Sequence, residues 1–575
     1  MRPAVSAWRR ALGMALTLGG LVAAGSAGAA PENDAAAGKR LYQEGITADG
    51  APVQAVTQGD VAVRGESFAC VACHRTSGFG SSEGGVYVPP ITADFLFSPS
   101  EYDRKKRNER FKELFKEAQP NSFWNRVRQA RARPAYDRQS LGRALRQGID
   151  PAGRTLHRLM PRYRLSDQDV ANLAAYLRTL SAEIDPGVGE ETIHFATVIA
   201  PGADPERRKV FRDTLGSFFD WMNADTANDQ SFPDFSPYYR SEFLHAYRHW
   251  KLHVWTLEGP PASWRAQLDA LYDEQKVFAL VSGLVPNRFA PVADFCDAKR
   301  LPCLFPHTPL PRTAEAEGAY SLYFNAGLEL QGRVAAESLG ASDAAAGGLR
   351  QVHIAGPLGA APAGSLAEAA EAAGDAVETQ TAADPDALRA AIRTALADGD
   401  SRPLAIWPGH HTGAAVAALN AAAPRQGTAG KDAPPILLPA SALDAAQADL
   451  DPALAERVRL VWPYELPTAY HPRRFRIHAW FNTRGLGTPL PRLQLNTYYA
   501  LTMVQYSLEH MIDDFFRDYM IEIIEHEAEN RLNPGTFPKM ALGPGQRFAS
   551  KGAYLVALDA GAKGGFRPTT DWIVP

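Results

Sequence analysis

Residues 68–80 read FACVACHRTSGFG and contain two of the only four cysteines in the 575-residue chain. Cys70 and Cys73 stand three positions apart, and His74 follows directly. Such a pair can be a thioredoxin-like redox pair, half of a zinc site or, with the histidine, a c-type haem attachment site. The first needs a preceding βαβ pattern and the second another close Cys or His pair, and neither occurs nearby. The motif therefore predicts one covalently attached haem c with His74 as an iron ligand.

The second axial ligand is predicted from the stretch that follows. Met160 is the only methionine between the motif and residue 182, and Pro161 after it favours an extended loop. That loop leads into LSDQDVANLAAYLRTL (165–180), which has helical apolar spacing and Ser166 as a candidate N-cap. A buried, space-filling methionine is the alternative interpretation, with His157 as the fallback ligand.

The order of attachment motif, Met-Pro loop and final helix resembles the class I cytochromes c over roughly residues 36–182. The resemblance implies a small all-α domain, assigned to residues 31–182, whose haem cycles between ferric and ferrous iron. It also implies that His74 is the proximal ligand and Met160 the distal ligand. A thioether is a weak, soft ligand that raises the reduction potential relative to two imidazoles.

The N-terminus has the layout of a secretory signal peptide. Residues 1–30 carry three arginines, then an apolar run, then small residues that suit cleavage; an uncleaved anchor is the alternative. No later stretch has the ~20 apolar residues of a membrane span. We therefore expect a periplasmic protein without a transmembrane segment. The formal net charge of −4 gives no indication of nucleic-acid binding.

One local segment is strongly basic. Residues 104–133 contain eleven Lys or Arg residues against three Glu residues. Such a surface could steer the protein towards an acidic redox partner, and a solvated face on an insertion is the alternative.

The sequence pattern changes after a polar linker, residues 183–191. From residue 192, short apolar β-rich runs alternate with helical stretches, one of them predicted over 320–339, in two successive series. This pattern predicts an α/β module of two lobes with parallel sheets. Its order and the segment LGPGQRFASKGAYLVAL (542–558) resemble the type I periplasmic binding proteins, the group of branched-chain amino acid and amide receptors. The resemblance covers residues 192–575.

In that fold a small solute binds in the cleft between the lobes, at loops that follow the strands. Glycine there permits close backbone approach, and polar side chains could hold an amine or a carboxylate, although turn formation also explains these residues. The tentative contacts are Ser282, Gly283, His307, Thr308, His410 and Glu465.

Two further features could indicate a metal site or a reactive cysteine. The acidic run over 496–530 has a helical period but no HExxH or Glu-x-x-His ligand pattern, so we expect a solvated helix face. Cys296 and Cys303 could form a local disulfide after export or remain two buried thiols. Neither resembles a catalytic nucleophile, and we expect no enzymatic activity.

Two functions follow from these expectations. In the first, the protein is an electron carrier whose second module docks a redox partner or binds a solute, by analogy with cytochromes that serve periplasmic quinoprotein dehydrogenases. In the second, it is a receptor or sensor of an ABC-type uptake system with an appended haem domain.

Overall fold

The computed structural model divides the chain into two compact units. The first unit combines residues up to Ala72 with Arg133–Thr179, and the second combines Cys73–Ala132 with Leu180–Pro575. The residues described are 34–83, 86–100, 132–231, 248–313, 319–340, 348–397, 400, 402–422, 434–511, 514–528 and 533–575. The predicted signal peptide and nearly all of the basic segment 104–133 lie outside these residues.

The helices are numbered in chain order. They are α1 (Ala35–Glu44), α2 (Val71–His74), α3 (Ala93–Phe97), α4 (Arg138–Gln147), α5 (Asp167–Leu177), α6 (Pro205–Ser231), α7 (Trp264–Glu274), α8 (Ala290–Ala298), α9 (Gly327–Gly340), α10 (Pro357–Ala373), α11 (Pro385–Ala397), α12 (Thr412–Ala422), α13 (Leu443–Asp449), α14 (Pro472–Thr483), α15 (Pro491–Met511) and α16 (Arg517–Glu527).

The strands are numbered in the same way. They are β1 (Gln54–Thr57), β2 (Val61–Arg64), β3 (Ser82–Glu83), β4 (Val86–Tyr87), β5 (Arg162–Tyr163), β6 (Thr192–Ile199), β7 (His249–Thr256), β8 (Ala279–Val281), β9 (Cys303–Leu304), β10 (Ser321–Leu322), β11 (Leu349–Ile354), β12 (Val377–Ala382), β13 (Leu404–Trp407), β14 (Ile436–Pro439), β15 (Val458–Trp462), β16 (Tyr554–Leu558) and β17 (Phe566–Pro568).

The first unit is built on the packing of α1 against α5. The side chain of Asp34 caps α1, and Ser166 with Asp169 forms a capping box at the start of α5, which confirms the predicted N-cap. A Cβ atom added at Gly38 of α1 would lie 2.0 Å from the carbonyl oxygen of Asn172. Only glycine therefore permits the observed approach of the two helices.

The first unit also contains β-structure that the all-α expectation did not include. Strands β2, β1 and β5 form a small antiparallel sheet in that order. Its pairs are short, since β5 contributes only Arg162 and Tyr163. The Tyr163 hydroxyl donates to the carbonyl oxygen of Phe68, 2.9 Å away, which ties this sheet to the residues just before the CVACH motif.

Besides the short antiparallel pair of β3 and β4, the second unit contains two larger sheets with helices on both faces, as the alternating pattern predicted. The first sheet has the order β10-β9-β8-β6-β7 and is parallel throughout. Apolar residues of α6, α15 and α16 cover one face, and those of α7 and α8 cover the other.

The second sheet has the order β12-β11-β13-β14-β15-β16-β17. Its strands are parallel up to β15, whereas β16 and β17 run antiparallel. Successive residues of β13 point to opposite faces: Ile406 packs with α11 and α12, and Trp407 packs with α9 and α10.

Two helix predictions were wrong in extent. The helix expected over 320–339 begins only at Gly327, because Ser321 and Leu322 pair with Cys303 and Leu304 as β10. The long period over 496–530 belongs to two helices, since α15 ends at Met511 and α16 begins at Arg517.

The first part of the predicted linker 183–191 is fixed within the second unit. The Asp185 carboxylate accepts a hydrogen bond from the Arg517 backbone N–H at 2.7 Å, and the Arg517 guanidinium donates to the Pro186 carbonyl oxygen at 2.9 Å. The guanidinium is buried and also bonds the Tyr272 hydroxyl and the Val277 carbonyl oxygen. A buried guanidinium group needs these hydrogen bonds, because a buried charge without partners is costly. The bonds from Arg517 therefore hold residues 185–186 in place, and these two residues are not a free linker.

Among the described residues, no helix is both long enough and apolar enough to cross a bilayer.

Candidate haem site and solute cleft

The CVACH motif folds as a single helical turn. Helix α2 covers Val71–His74, the side chains of Cys70 and Cys73 are half-exposed, and His74 is buried. The chain then turns back, because the Gly80 N–H donates to the His74 carbonyl oxygen at 3.1 Å and the Ser81 hydroxyl to the Cys73 carbonyl oxygen at 2.8 Å. We call residues 74–81 the haem loop.

The His74 imidazole has the chemistry of an iron ligand. Its Nδ1 lies 3.2 Å from the Pro89 carbonyl oxygen, which can only accept, so the ring proton is on Nδ1. Burial lowers the pKa of His74 to about 4, while the Pro89 hydrogen bond opposes that shift. A neutral ring with its proton on Nδ1 leaves the Nε2 lone pair for a metal. These residues therefore fit the haem that the motif implies.

Met160 lies in the loop that the sequence predicted. Its N–H donates to the His157 carbonyl oxygen at 3.2 Å, and its own carbonyl oxygen accepts from the Arg162 guanidinium at 2.5 Å. The side chain is half-exposed, so Met160 does not occupy a core position as a buried space-filling residue would. Its assignment as the second iron ligand stays a prediction, and His157 is exposed.

A cavity of about 560 Å³ lies in the second unit, lined by residues from loops of both sheets. Three of the predicted contacts line it: His307, Thr308 and His410. The other three, Ser282, Gly283 and Glu465, are not among its lining residues.

The three residues outside the lining have local roles. Ser282 is buried with a φ of 56°, and its N–H pairs with the Leu304 carbonyl oxygen at 2.7 Å. The Glu465 carboxylate contacts the His471 imidazole at 2.9 Å and accepts from the Leu466 N–H. The Ser282 backbone and the Glu465 carboxylate therefore make local contacts in the turns in which they stand.

Two lining residues present hydrogen-bond acceptors. His307 is half-buried, and its desolvation, with Arg207 nearby, lowers its pKa to about 3, so the ring is neutral. Its Nε2 lies 2.9 Å from the Thr497 hydroxyl, whose proton goes to the Leu493 carbonyl oxygen; Nε2 is therefore the donor and Nδ1 the acceptor. The buried Oδ1 of Asn496 has no hydrogen-bond partner among the described residues.

The charged lining residues balance one another. Arg207 and Arg492 carry positive charge, and Asp204 and Asp444 carry negative charge. The Arg492 guanidinium lies 3.9 Å from the centre of the Tyr464 ring, and this cation–π contact holds the Arg492 side chain in place. With no net charge in its lining, the cavity suits a neutral or zwitterionic solute. Arg492 and Asn496 belong to α15, so a search of the loops after strands could not find them.

The acidic residues of α16 do not form the expected solvated face. Glu525 is only 5% exposed, and Glu522 is half-buried against the haem loop. The expectation was wrong here because helical period alone does not show which segment covers a face. No group of three or more metal-binding side chains occurs among the described residues.

Cys296 and Cys303 form a disulfide in the structure, with their Cα atoms 6.3 Å apart. The bond joins the end of α8 to the start of β9. Both residues are buried, so this disulfide is part of the first lobe's core.

Comparisons with known proteins give a match to one family model and matches to solved structures. Residues 35–181 match the cytochrome c family model. A fatty acid ABC transporter substrate-binding protein from Thermomonospora curvata is similar in structure with a TM-score of 0.50 and 17% identity, over 68% of this chain and 95% of that protein. A branched-chain amino acid ABC transporter protein from Thermus thermophilus, solved with bound valine, gives 0.48 and 12% over 68% and 98%. No curated protein matches the chain significantly.

The family match, the motif and the fold thus define a cytochrome c domain joined to a binding-protein fold. Residues 35–181 are a cytochrome c domain, the family that carries covalently bound haem c and transfers electrons. The remainder has the fold of the type I periplasmic binding proteins.

Proposed function

We propose that this protein is a periplasmic c-type cytochrome with one haem that carries single electrons. The observation that carries the proposal is the state of the His74 imidazole, which directly follows Cys73 in the sequence. The ring is buried and neutral, and its Nδ1–H donates to the Pro89 carbonyl oxygen. This is the ligand form that a haem iron requires on its proximal side.

Each residue of the site has a defined task. Cys70 and Cys73 would hold the haem through thioether bonds, and His74 and Met160 would bind the iron. When bound, the haem supplies one-electron chemistry between ferric and ferrous iron. Pro89 keeps the His74 ring in one tautomer, which is the usual task of a hydrogen-bond partner behind a metal ligand. We assign no catalytic residue and no enzymatic activity.

The electron is exchanged with a second protein. A periplasmic dehydrogenase, of the quinoprotein type by analogy, is the partner that we favour. The basic segment 104–133 would attract an acidic surface on that partner and raise the rate of encounter at low ionic strength.

A receptor function is the second candidate, and the cavity supports it. The lining includes polar side chains such as Asn496 and His307 and carries no net charge, so a small neutral or zwitterionic solute would be held there. In this alternative the module serves an ABC-type uptake system or a sensor, and the haem is an accessory.

Electron transfer is tested on protein purified from a host with cytochrome c maturation. A reductive titration should consume one electron per chain, and oxidation should restore the starting spectrum. Consumption of no electrons, or of two, would contradict the assignment of a single-haem carrier.

The receptor function is tested by a thermal-shift screen of amino acids, amides and alcohols. A ligand at 100 times its dissociation constant adds about 2.7 kcal/mol to the free energy of unfolding. Asn496→Ala should abolish such a shift, whereas Asn482→Ala, an exposed asparagine outside the lining, should leave it unchanged. The absence of any shift across the screen would favour docking of a partner over solute capture.

A further inference from the structure

The haem loop contains a strained residue directly after the predicted iron ligand. Arg75 has a φ of 65°, the left-handed conformation that residues other than glycine rarely adopt. Such a conformation persists where neighbouring contacts hold it. Contacts around Arg75 therefore hold its backbone in this conformation.

Glu525 of α16 provides the first of these contacts. One carboxylate oxygen accepts from the Arg75 guanidinium at 2.7 Å. The other accepts from the Arg547 guanidinium at 2.7 Å and from the Gly545 N–H at 3.0 Å. Because this carboxylate is almost fully buried, loss of its charge would leave two guanidinium groups without their partner.

Glu522, one turn earlier on α16, holds the middle of the haem loop. Its two carboxyl oxygens pair with the N–H of Ser77, at 2.8 Å, and with the Ser77 hydroxyl. The Ser77 carbonyl oxygen accepts from the Ser181 hydroxyl at 2.7 Å. Ser77 is 1% exposed, and all of its polar atoms are thereby engaged.

An aromatic contact completes the arrangement. The Phe79 ring stacks on Tyr519 with 4.2 Å between ring centres, and it also contacts Phe516. Tyr519, Glu522 and Glu525 follow one another at intervals of three residues, so each is a surface neighbour of the next on α16, and Phe516 directly precedes the helix. The same helix of the binding-protein fold thus contacts Arg75, Ser77 and Phe79.

We propose that Glu522 and Glu525 are positioning residues for the haem, which fix the backbone leaving His74 and thereby set the reduction potential of the iron. The proposal rests on the proposed function, since it requires His74 to bind a haem. Groups that orient a metal ligand tune the metal nearly as strongly as the ligand itself. The cytochrome's redox behaviour therefore depends on α16, which lies outside the cytochrome c family match.

The first test measures the midpoint potential of the full-length, haem-loaded protein. Glu525→Gln removes a negative charge bound to the residue after His74, so the oxidised haem loses stabilisation and the potential should rise. We expect at least a threefold change in the equilibrium with a fixed redox couple, or about 28 mV at 59 mV per tenfold. Glu509→Gln, the same change at an exposed site on α15, should have no effect.

The second test needs no haem signal. Glu522→Ala removes the acceptor for the Ser77 N–H, so hydrogen exchange of that amide should accelerate at least tenfold. Glu522→Gln keeps an acceptor and should restore slow exchange. This pair also decides the question if Glu525→Gln fails to fold.

The outcomes separate the two proposals. Unchanged potentials in both Glu522→Ala and Glu525→Gln, with unchanged exchange at Ser77, would overturn the positioning role. Protein without any covalent haem would instead contradict the proposed function, and the exchange measurement would still test whether α16 holds the loop.

Discussion

Glu522 accepts hydrogen bonds from both the backbone N–H and the hydroxyl of Ser77, although the two residues stand 445 positions apart in the chain. Ser77 follows the predicted iron ligand His74 by three residues. The haem loop is therefore part of the packed interior of the second unit, and α16 has direct contact with it. This relationship connects the redox site to a fold that is known from solute-binding proteins.

The first prediction concerns pH and Glu522. Burial raises its pKa from the ordinary 4.5 to about 8, against the opposing hydrogen bonds from Ser77. The folded protein then holds a proton that the unfolded chain releases, so this contribution to stability is complete below pH 4.5. It is lost as the pH rises towards about 8, at no more than about 1.4 kcal/mol per pH unit.

Glu522→Gln should remove that dependence, because the amide cannot titrate and still accepts from Ser77. The free energy of unfolding, measured in urea at several pH values between 5 and 8, should fall less steeply in this variant than in the unmodified protein. Glu509→Gln should retain the original slope. Parallel curves for all three proteins would show that Glu522 does not titrate in this range.

The second prediction concerns the contact between α1 and α5. Gly38→Ala would place a Cβ atom 2.0 Å from the Asn172 carbonyl oxygen, and such overpacking costs about 1–3 kcal/mol. Gly142→Ala is the matched change on α4, where the nearest atom would be 3.4 Å away. Chemical denaturation should show a loss only for Gly38→Ala, and equal stability of both variants would contradict the account of α1 packing.

The third prediction concerns the disulfide. Cys296 and Cys303 close a loop over a separation of seven residues, for which chain entropy gives about 2–3 kcal/mol. The double variant Cys296→Ala, Cys303→Ala should lose about this much stability without a change in haem content. Detection of two alkylatable thiols at these positions in the native exported protein would contradict the assignment.

The fourth prediction concerns the second axial ligand. Met160→Ala should abolish the weak sulfur-to-iron absorption at the red end of the spectrum and lower the midpoint potential, because a thioether favours ferrous iron. We expect a change of more than tenfold in the redox equilibrium, or about 59 mV. His157→Ala serves as the control and should keep the band. An unmodified protein that lacks the band, with a potential that changes only in His157→Ala, would transfer the role to His157.

The parts of the structure that depend on local sequence were predictable. The CVACH motif, the Ser166 cap of α5 and the alternation that forms two sheets of mainly parallel strands each depend on short stretches of sequence. The burial of Glu522 and Glu525 was not predictable, because the segment that covers them comes from the opposite end of the chain. A helical period in the sequence shows which residues share one face of a helix, but it does not show which distant segment packs against that face.

The cleft shows the same limit. Loops after strands supplied His307, Thr308 and His410, since the carboxyl ends of parallel strands meet at one edge of a sheet. Arg492 and Asn496 come from α15, a helix whose position depends on packing between distant segments. The sequence therefore predicted the position of the cleft, but it did not identify all of the polar side chains that line it.

Mass spectrometry of peptides from the mature protein tests the central claim most directly. We predict one haem per chain, attached by thioether bonds to Cys70 and Cys73, which remains after denaturation. Recovery of the peptide with both of these sulfurs unmodified, from a host that matures other c-type cytochromes, would contradict the claim.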